Sequence, residues 1–252
     1  MNARVRPATA VSVAPLAQPT CAACTTYESN VCQAAAAWLQ PTDASVQVQQ
    51  SAHFVPARRI ICREYELHDV VPIICEGWAA SVVMLSDGSR QILSFLLPGD
   101  IVSAALFFDT RPHYLVEAIT DVRYRTLKRS EFRAALFRNP SLLEKLAKAW
   151  TDETIRADQL IVDLGHRTAD ERIARLILNL AERLEKRGMI ESETVEMDFP
   201  LRQHHIADAT GLTPVHVSKV LTEFRRGGLI NISDRSLTIL DQVGFRRVAQ
   251  TR

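Results

Sequence analysis

Residues 206 to 221 read Ile206-Ala207-Asp208-Ala209-Thr210-Gly211-Leu212-Thr213-Pro214-Val215-His216-Val217-Ser218-Lys219-Val220-Leu221. Thr213 offers a side-chain acceptor at a helix N-cap, and Pro214 a preset φ at the first helical position. A helix is therefore predicted from Pro214 to Arg226, where Gly227-Gly228 stops it. Upstream, Gln203 to Ala209 reads as a short helix and Thr210-Gly211-Leu212 as the turn between the two. Ile206, Ala207, Leu212, Val217, Val220, Leu221 and Phe224 have the spacing that packs two helices across such a turn. The pattern is a helix-turn-helix. Ile230, Ile232, Leu237 and Ile239, around Ser233-Asp234-Arg235, add a hairpin wing behind it.

In this motif the second helix enters the major groove N-terminus first, so side chains near its start reach base edges and later ones lie over phosphates. Val215, His216, Ser218 and Lys219 are the base-reading candidates. Lys219 can donate to guanine O6 and N7, Ser218 to base or phosphate, and Val215 offers apolar contact to a thymine methyl. Arg225 and Arg226 fall later and supply general attraction to the backbone. His204-His205 reads as a helix start or a phosphate-side pair. The charge agrees: the whole chain carries a net +1, but Leu201 to Arg252 holds eight Lys/Arg against four acids. Local basicity at one end is what a chain needs to meet double-stranded DNA there.

The full 252 residues are 47% hydrophobic and 23% charged, ordinary values that exclude a disordered or collagen-like chain and leave room for one large domain or two small ones. No apolar run approaches the roughly 18 to 20 residues of a membrane helix, so no membrane partner is expected. Residues 1–20 are rich in Ala, Val, Pro and Thr and read as a flexible tail. Ser12 and Pro15 break the apolar stretch that follows Arg4 and Arg6, so a signal peptide is not expected and a cytoplasmic location is. From Ser51 to Leu127 short apolar runs alternate with turn signals such as Ser86-Asp87-Gly88 and Pro98-Gly99-Asp100, the pattern of a small antiparallel barrel or sandwich. That region shows no nucleophile-base pair, phosphate loop or His/Glu metal set, so an enzyme is not expected.

Asn139-Pro140 then opens a long helix to about residue 164, roughly 37 Å at 1.5 Å per residue. Leu143, Trp150, Ala157 and Leu164 recur every seven residues, and Leu146, Glu153 and Leu160 do so three positions later. These are a and d positions of a coiled-coil seam, and they predict a homodimer. Glu153 would bring two carboxylates together on that seam, which costs stability unless they are neutralised or reach water. Gly165 closes this helix, and Thr168-x-x-Glu171 forms a capping box for the next.

The chain resembles the Crp/Fnr family of transcription regulators, named for the cyclic-AMP receptor protein and the fumarate-nitrate reduction regulator. The likeness runs from about residue 50 to 240 and rests on Glu76-Gly77, Asp87-Gly88, Phe95-Leu96-Leu97-Pro98-Gly99-Asp100, Ala169-Asp170-Glu171-Arg172-Ile173, and Ile206-Ala207-Asp208 with Gly211-Leu212-Thr213 leading into Val217-Ser218-Lys219-Val220-Leu221. It implies an α+β architecture: an N-terminal β-roll (cupin-like jelly roll) sensor, a dimerisation helix and a C-terminal winged helix-turn-helix reading a two-fold-symmetric (palindromic) site, with RNA polymerase as a further partner. The expected division is 1–50, a flexible segment with a cysteine cluster; 51–138, the roll; 139–165, the dimerisation helix; and 166–252, the DNA-binding domain.

The family's cyclic-nucleotide members carry Gly-Glu-Leu for the ribose and Arg-Ser for the phosphate, where this chain has Ser103-Ala104-Ala105 and His113-Tyr114. Without that carboxylate and arginine, cyclic AMP is not the expected ligand. Cys21-x-x-Cys24 with Cys32 instead gathers three thiols within twelve positions, as soft ligands are gathered around iron or zinc. The spacing is similar to that of the oxygen-sensing, Fnr-like branch, whose [4Fe-4S] cluster uses three N-terminal cysteines and a fourth in the roll. At the fourth position this chain has Arg125, which leaves Cys62, Cys75 or an oxygen ligand such as Asp121. Val215 stands where that branch carries a base-discriminating glutamate. The expectation is a regulator responding to oxygen or redox state; the alternative is the same regulator sensing a small molecule, or thiol redox state, without a cluster.

Overall fold

The computed structural model describes residues 51–66, 69–108, 111–191 and 195–250. Its first part is a roll of two antiparallel sheets. Strands β1 (Ser51–Val55), β3 (Val70–Glu76) and β7 (Val122–Lys128) form one sheet in the order β1-β7-β3. Strands β2 (Ile60–Cys62), β4 (Ala79–Met84), β5 (Arg90–Leu96) and β6 (Leu115–Ala118) form the other in the order β2-β6-β4-β5. The expected Asp87-Gly88 turn joins β4 to β5, with the Asp87 carboxylate accepting from Ser89 N at 2.8 Å. Gly77 has a φ of +81°, and a Cβ there would meet the Asp121 carbonyl oxygen at 2.0 Å, so only glycine fits. Val71, Ile73, Ile74, Val116, Val122 and Leu127 fill the interior. Phe107, on a short 3-10 helix (Ala104–Phe107), stacks on Phe132 at 3.9 Å between ring centroids.

Phe132 belongs to α1 (Arg129–Arg138), and the long helix follows as α2 (Pro140–His166), capped by Asn139 through Leu142 N at 3.3 Å. Leu142 and Leu146 are buried in the roll's core, while Leu143, Trp150 and Ile161 remain 50%, 45% and 68% exposed. One apolar line of the helix therefore faces its own chain and the other faces outward.

Helix α3 (Ala169–Glu185) begins with the predicted capping box, in which Thr168 N donates to Glu171 Oε2 at 2.8 Å and Glu171 N to Thr168 Oγ1 at 3.4 Å. Its buried face, Ile173, Ala174, Ile177, Leu180, Ala181 and Leu184, is the centre of a second core. Around it stand α4 (Gln203–Thr210), α5 (Pro214–Arg226), α6 (Gln242–Ala249) and a sheet of β8 (Glu196–Asp198), β10 (Ser236–Ile239) and β9 (Ile230–Ser233), in the order β8-β10-β9. Phe245 of α6 packs edge-on against Phe224 at 5.3 Å. This core takes in Trp78, Ala80, Val82, Ile92, Phe95 and Leu97 of the roll, so the two parts share one apolar interior. Polar ties reinforce it: Arg183 and Arg187 each reach Asp100 at 2.5 Å, Arg187 donates to Pro98 O at 2.6 Å, and Gln91 to Ala209 O at 3.4 Å.

Candidate nucleic-acid interface

Gly211, at a φ of +66°, turns the chain from α4 into α5, and Thr213 caps α5 by accepting from His216 N at 3.3 Å. Val217, Val220, Leu221 and Phe224 bury one side of α5 against the rest of the domain. A helix with one side buried at that spacing must present the other, and Val215 (81% exposed), Lys219, Thr222 and Arg226 lie there, with Ser218 half-buried beside them. These residues line an open groove together with Gln203 from the start of α4 and Glu223.

Of the residues expected from sequence, Val215, Ser218, Lys219 and Arg226 share that groove. His216 is exposed outside its lining. Arg225 folds back on its own helix, donating from Nε to Leu221 O at 3.3 Å and from a terminal nitrogen to Thr222 Oγ1 at 3.5 Å. Thr222 and Gln203 share the groove without standing among the residues expected from sequence. Thr222 is legible from the helical period, lying four residues after Ser218; Gln203 reaches the groove only through the angle of the turn, which no local pattern carries.

His205 is buried, and its Nδ1 accepts from Arg202 N at 3.1 Å, closing the N-terminus of α4. Burial first, then the charges of His204, Arg90, Arg202 and Arg58, pushes its pKa down to about 4. The ring is thus neutral in the folded protein, as an accepting Nδ1 requires. The unfolded chain takes up that proton first, so this contribution to stability is complete above pH 6.5 and declines as the pH falls from 6.5 toward 4.

The residues expected at the dimer seam divide. Leu143, Trp150 and Ala157 are exposed, and Phe108 of the roll stacks on Trp150 at 5.7 Å, widening the apolar strip. Leu146 is buried against the roll, Leu160 lines a cleft facing the DNA-binding part, and Leu164 lies against Gly211. Glu153, expected to face its symmetry mate, instead turns inward and accepts from Ala104 N at 3.2 Å. The reason is geometric: the d line of the heptad is the line that the roll and α3 cover. Tyr114 stands near it, donating to Val102 O at 3.2 Å, and a cavity of about 580 Å³ runs from there along α2 to Arg187.

Cys21, Cys24 and Cys32 lie outside the described residues. Cys62 is buried, and that burial, with the Glu66 charge, pushes its thiol up to about 11. Cys75 is half-buried on a bulge of β3, between Ile74 and Glu76. Among the described residues no three His, Cys, Asp or Glu side chains converge as a metal site, and no helix is long and apolar enough to cross a membrane.

The exposed stripe on a capped, wing-backed helix defines a DNA-binding transcription regulator. Residues 171–248 match the Crp-like helix-turn-helix domain, and residues 52–139 the cyclic nucleotide-binding domain. The transcriptional activatory protein AadR of Rhodopseudomonas palustris is 31% identical over 186 residues, 74% of this chain and 76% of that protein. The nitrogen fixation regulation protein FixK of Azorhizobium caulinodans is 32% identical over 181 residues, 71% of each chain. The structure of FixK2 from Bradyrhizobium japonicum superposes with a TM-score of 0.71 at 27% identity, covering 80% of this chain and 98% of that one. The chain belongs to the Crp/Fnr family of transcription regulators, whose members are not enzymes.

Proposed function

We propose that two copies join along Leu143, Trp150, Ala157 and Ile161 and read a palindromic site, each through Val215, Ser218 and Lys219, with Arg226 and Gln203 toward the phosphates. The observation that carries this reading is the opposed faces of α5, one packed by Val217, Val220, Leu221 and Phe224 and the other open. His216 and Arg225 serve the backbone rather than the bases. Lys219→Ala is expected to weaken operator binding by about 1 to 3 kcal/mol while leaving random DNA nearly unaffected. An equal loss on both, in fluorescence-anisotropy titrations at fixed salt, makes Lys219 a phosphate contact. RNA polymerase is the partner expected downstream of DNA binding.

Redox state reaches this regulator through Cys21, Cys24 and Cys32, with Cys75 the better fourth ligand. A metal takes the thiolate, and burial disfavours that form at Cys62, whereas Cys75 stands at a half-exposed bulge. A [4Fe-4S] cluster held there would supply an oxygen-labile centre. Protein purified without air is expected to hold about four iron and four sulfide per chain, lost in Cys75→Ser and kept in Cys62→Ser. The cavity between the roll and α2 favours a second reading, a small molecule sensed without metal. Colourless, iron-free protein that still binds its operator decides for it.

A further inference from the structure

A smaller cleft of about 240 Å³ lies on the other side of Arg156 and Arg183, between β5, the C-terminal half of α2, α3 and the end of α6. We propose that it binds a small phosphate-bearing ligand, held by Arg156 and Arg183. The site is separate from the DNA-reading groove and goes beyond that function.

The charges carry the argument. The carboxylates of the cleft are already engaged, because Asp163 pairs with Arg167 at 3.0 Å and Arg175 at 2.6 Å, and Glu182 sits 3.8 Å from Arg246. Arg172 spends its guanidinium on the Arg167 and Thr210 carbonyls, and among the described residues no carboxylate pairs with it. Arg183 gives a terminal nitrogen to Asp100 and to Phe95 O, but its Nε is buried and, among the described residues, has no hydrogen-bond partner. The Nε of Arg156 is also buried and unpartnered, and among the described residues Arg156 forms no ion pair. Two guanidiniums from different elements line one cavity, and among the described residues neither spends its Nε on a hydrogen bond; such a pair suits an anion with several oxygens. The excess of arginine favours a doubly charged phosphate over a single carboxylate, and the small volume favours a compact ligand.

Arg156 lies between Glu153 and Asp163 on the inward line of α2, and both of those bond within their own chain. The ligand would touch the roll, the long helix and the DNA-binding part together, and so favour their docked arrangement.

The test uses the full-length protein and inorganic pyrophosphate, titrated calorimetrically at constant ionic strength, with inorganic phosphate as a second probe. One saturable site per chain is expected. Arg156→Gln should weaken it at least tenfold, with an unchanged melting temperature in the absence of pyrophosphate, and Arg156→Lys should restore part of the affinity. Heat indistinguishable from a sodium chloride control overturns the proposal. So does binding that survives Arg156→Gln, since it places the anion elsewhere, for example on the DNA-reading face. Operator binding by Arg156→Gln without pyrophosphate is expected to match the unsubstituted protein, which separates a failure here from a failure of the DNA-binding reading.

Discussion

Asp100→Ala is expected to lower folding stability by about 3 to 5 kcal/mol, the cost of removing one partner from a buried charge group. The Asp100 side chain is 11% exposed and stands between Arg183 (11%) and Arg187 (14%), with a further bond accepted from Leu97 N at 2.7 Å. Burial alone would raise its carboxyl; the two guanidiniums override burial and hold it at about 2. Burial likewise pushes Arg183 down to about 10 despite the nearby carboxylate, so the arginines depend on Asp100 as much as it depends on them. Alanine leaves two cations facing each other in a poorly solvated place, beside a third in Arg156. The carboxylate's contribution is complete above its ordinary 3.8 and is lost as the pH falls through 2. Urea denaturation at neutral pH measures the effect. A loss under about 1 kcal/mol would mean that water reaches these arginines freely, and the docking of α3 on the Pro98-Gly99-Asp100 turn would need another explanation.

Ile161→Asp is expected to leave each chain folded and to abolish the dimer. Ile161 is 68% exposed, so the substitution removes little internal packing. In a pair of chains it would place two carboxylates in an apolar seam that runs past Trp150 and Leu143. Once the chains separate, the second half-site no longer benefits from tethering to the first, and operator affinity should fall by about 100-fold or more. Sedimentation velocity and anisotropy on one operator read both effects. A dimer that persists places the interface on another surface.

The helix-turn-helix was legible because its signals are local: Gly211 for a left-handed turn, Thr213 and Pro214 for a start, Gly227-Gly228 for a stop. The same holds for the Thr168/Glu171 box and the Asp87-Gly88 hairpin. Strand β8 is not legible, because three residues show no period and its pairing with β10 joins positions about forty apart. The heptad of α2 gave two apolar lines but not their owners. Deciding that Leu146 belongs to the roll while Trp150 faces outward requires knowing what the roll covers. Arg183 and Asp100 are 83 residues apart, and nothing in either local sequence announces the other.

The apolar interior shared by the roll and the DNA-binding part bears on how the chain is made. Ala80, Val82, Ile92 and Phe95 leave the ribosome long before Ile177, Leu180 and Phe224. During synthesis the roll therefore carries a greasy flank with nothing yet to cover it. The later helices condense onto a template already formed, so the DNA-binding part assembles on the roll, and translation itself orders the two events.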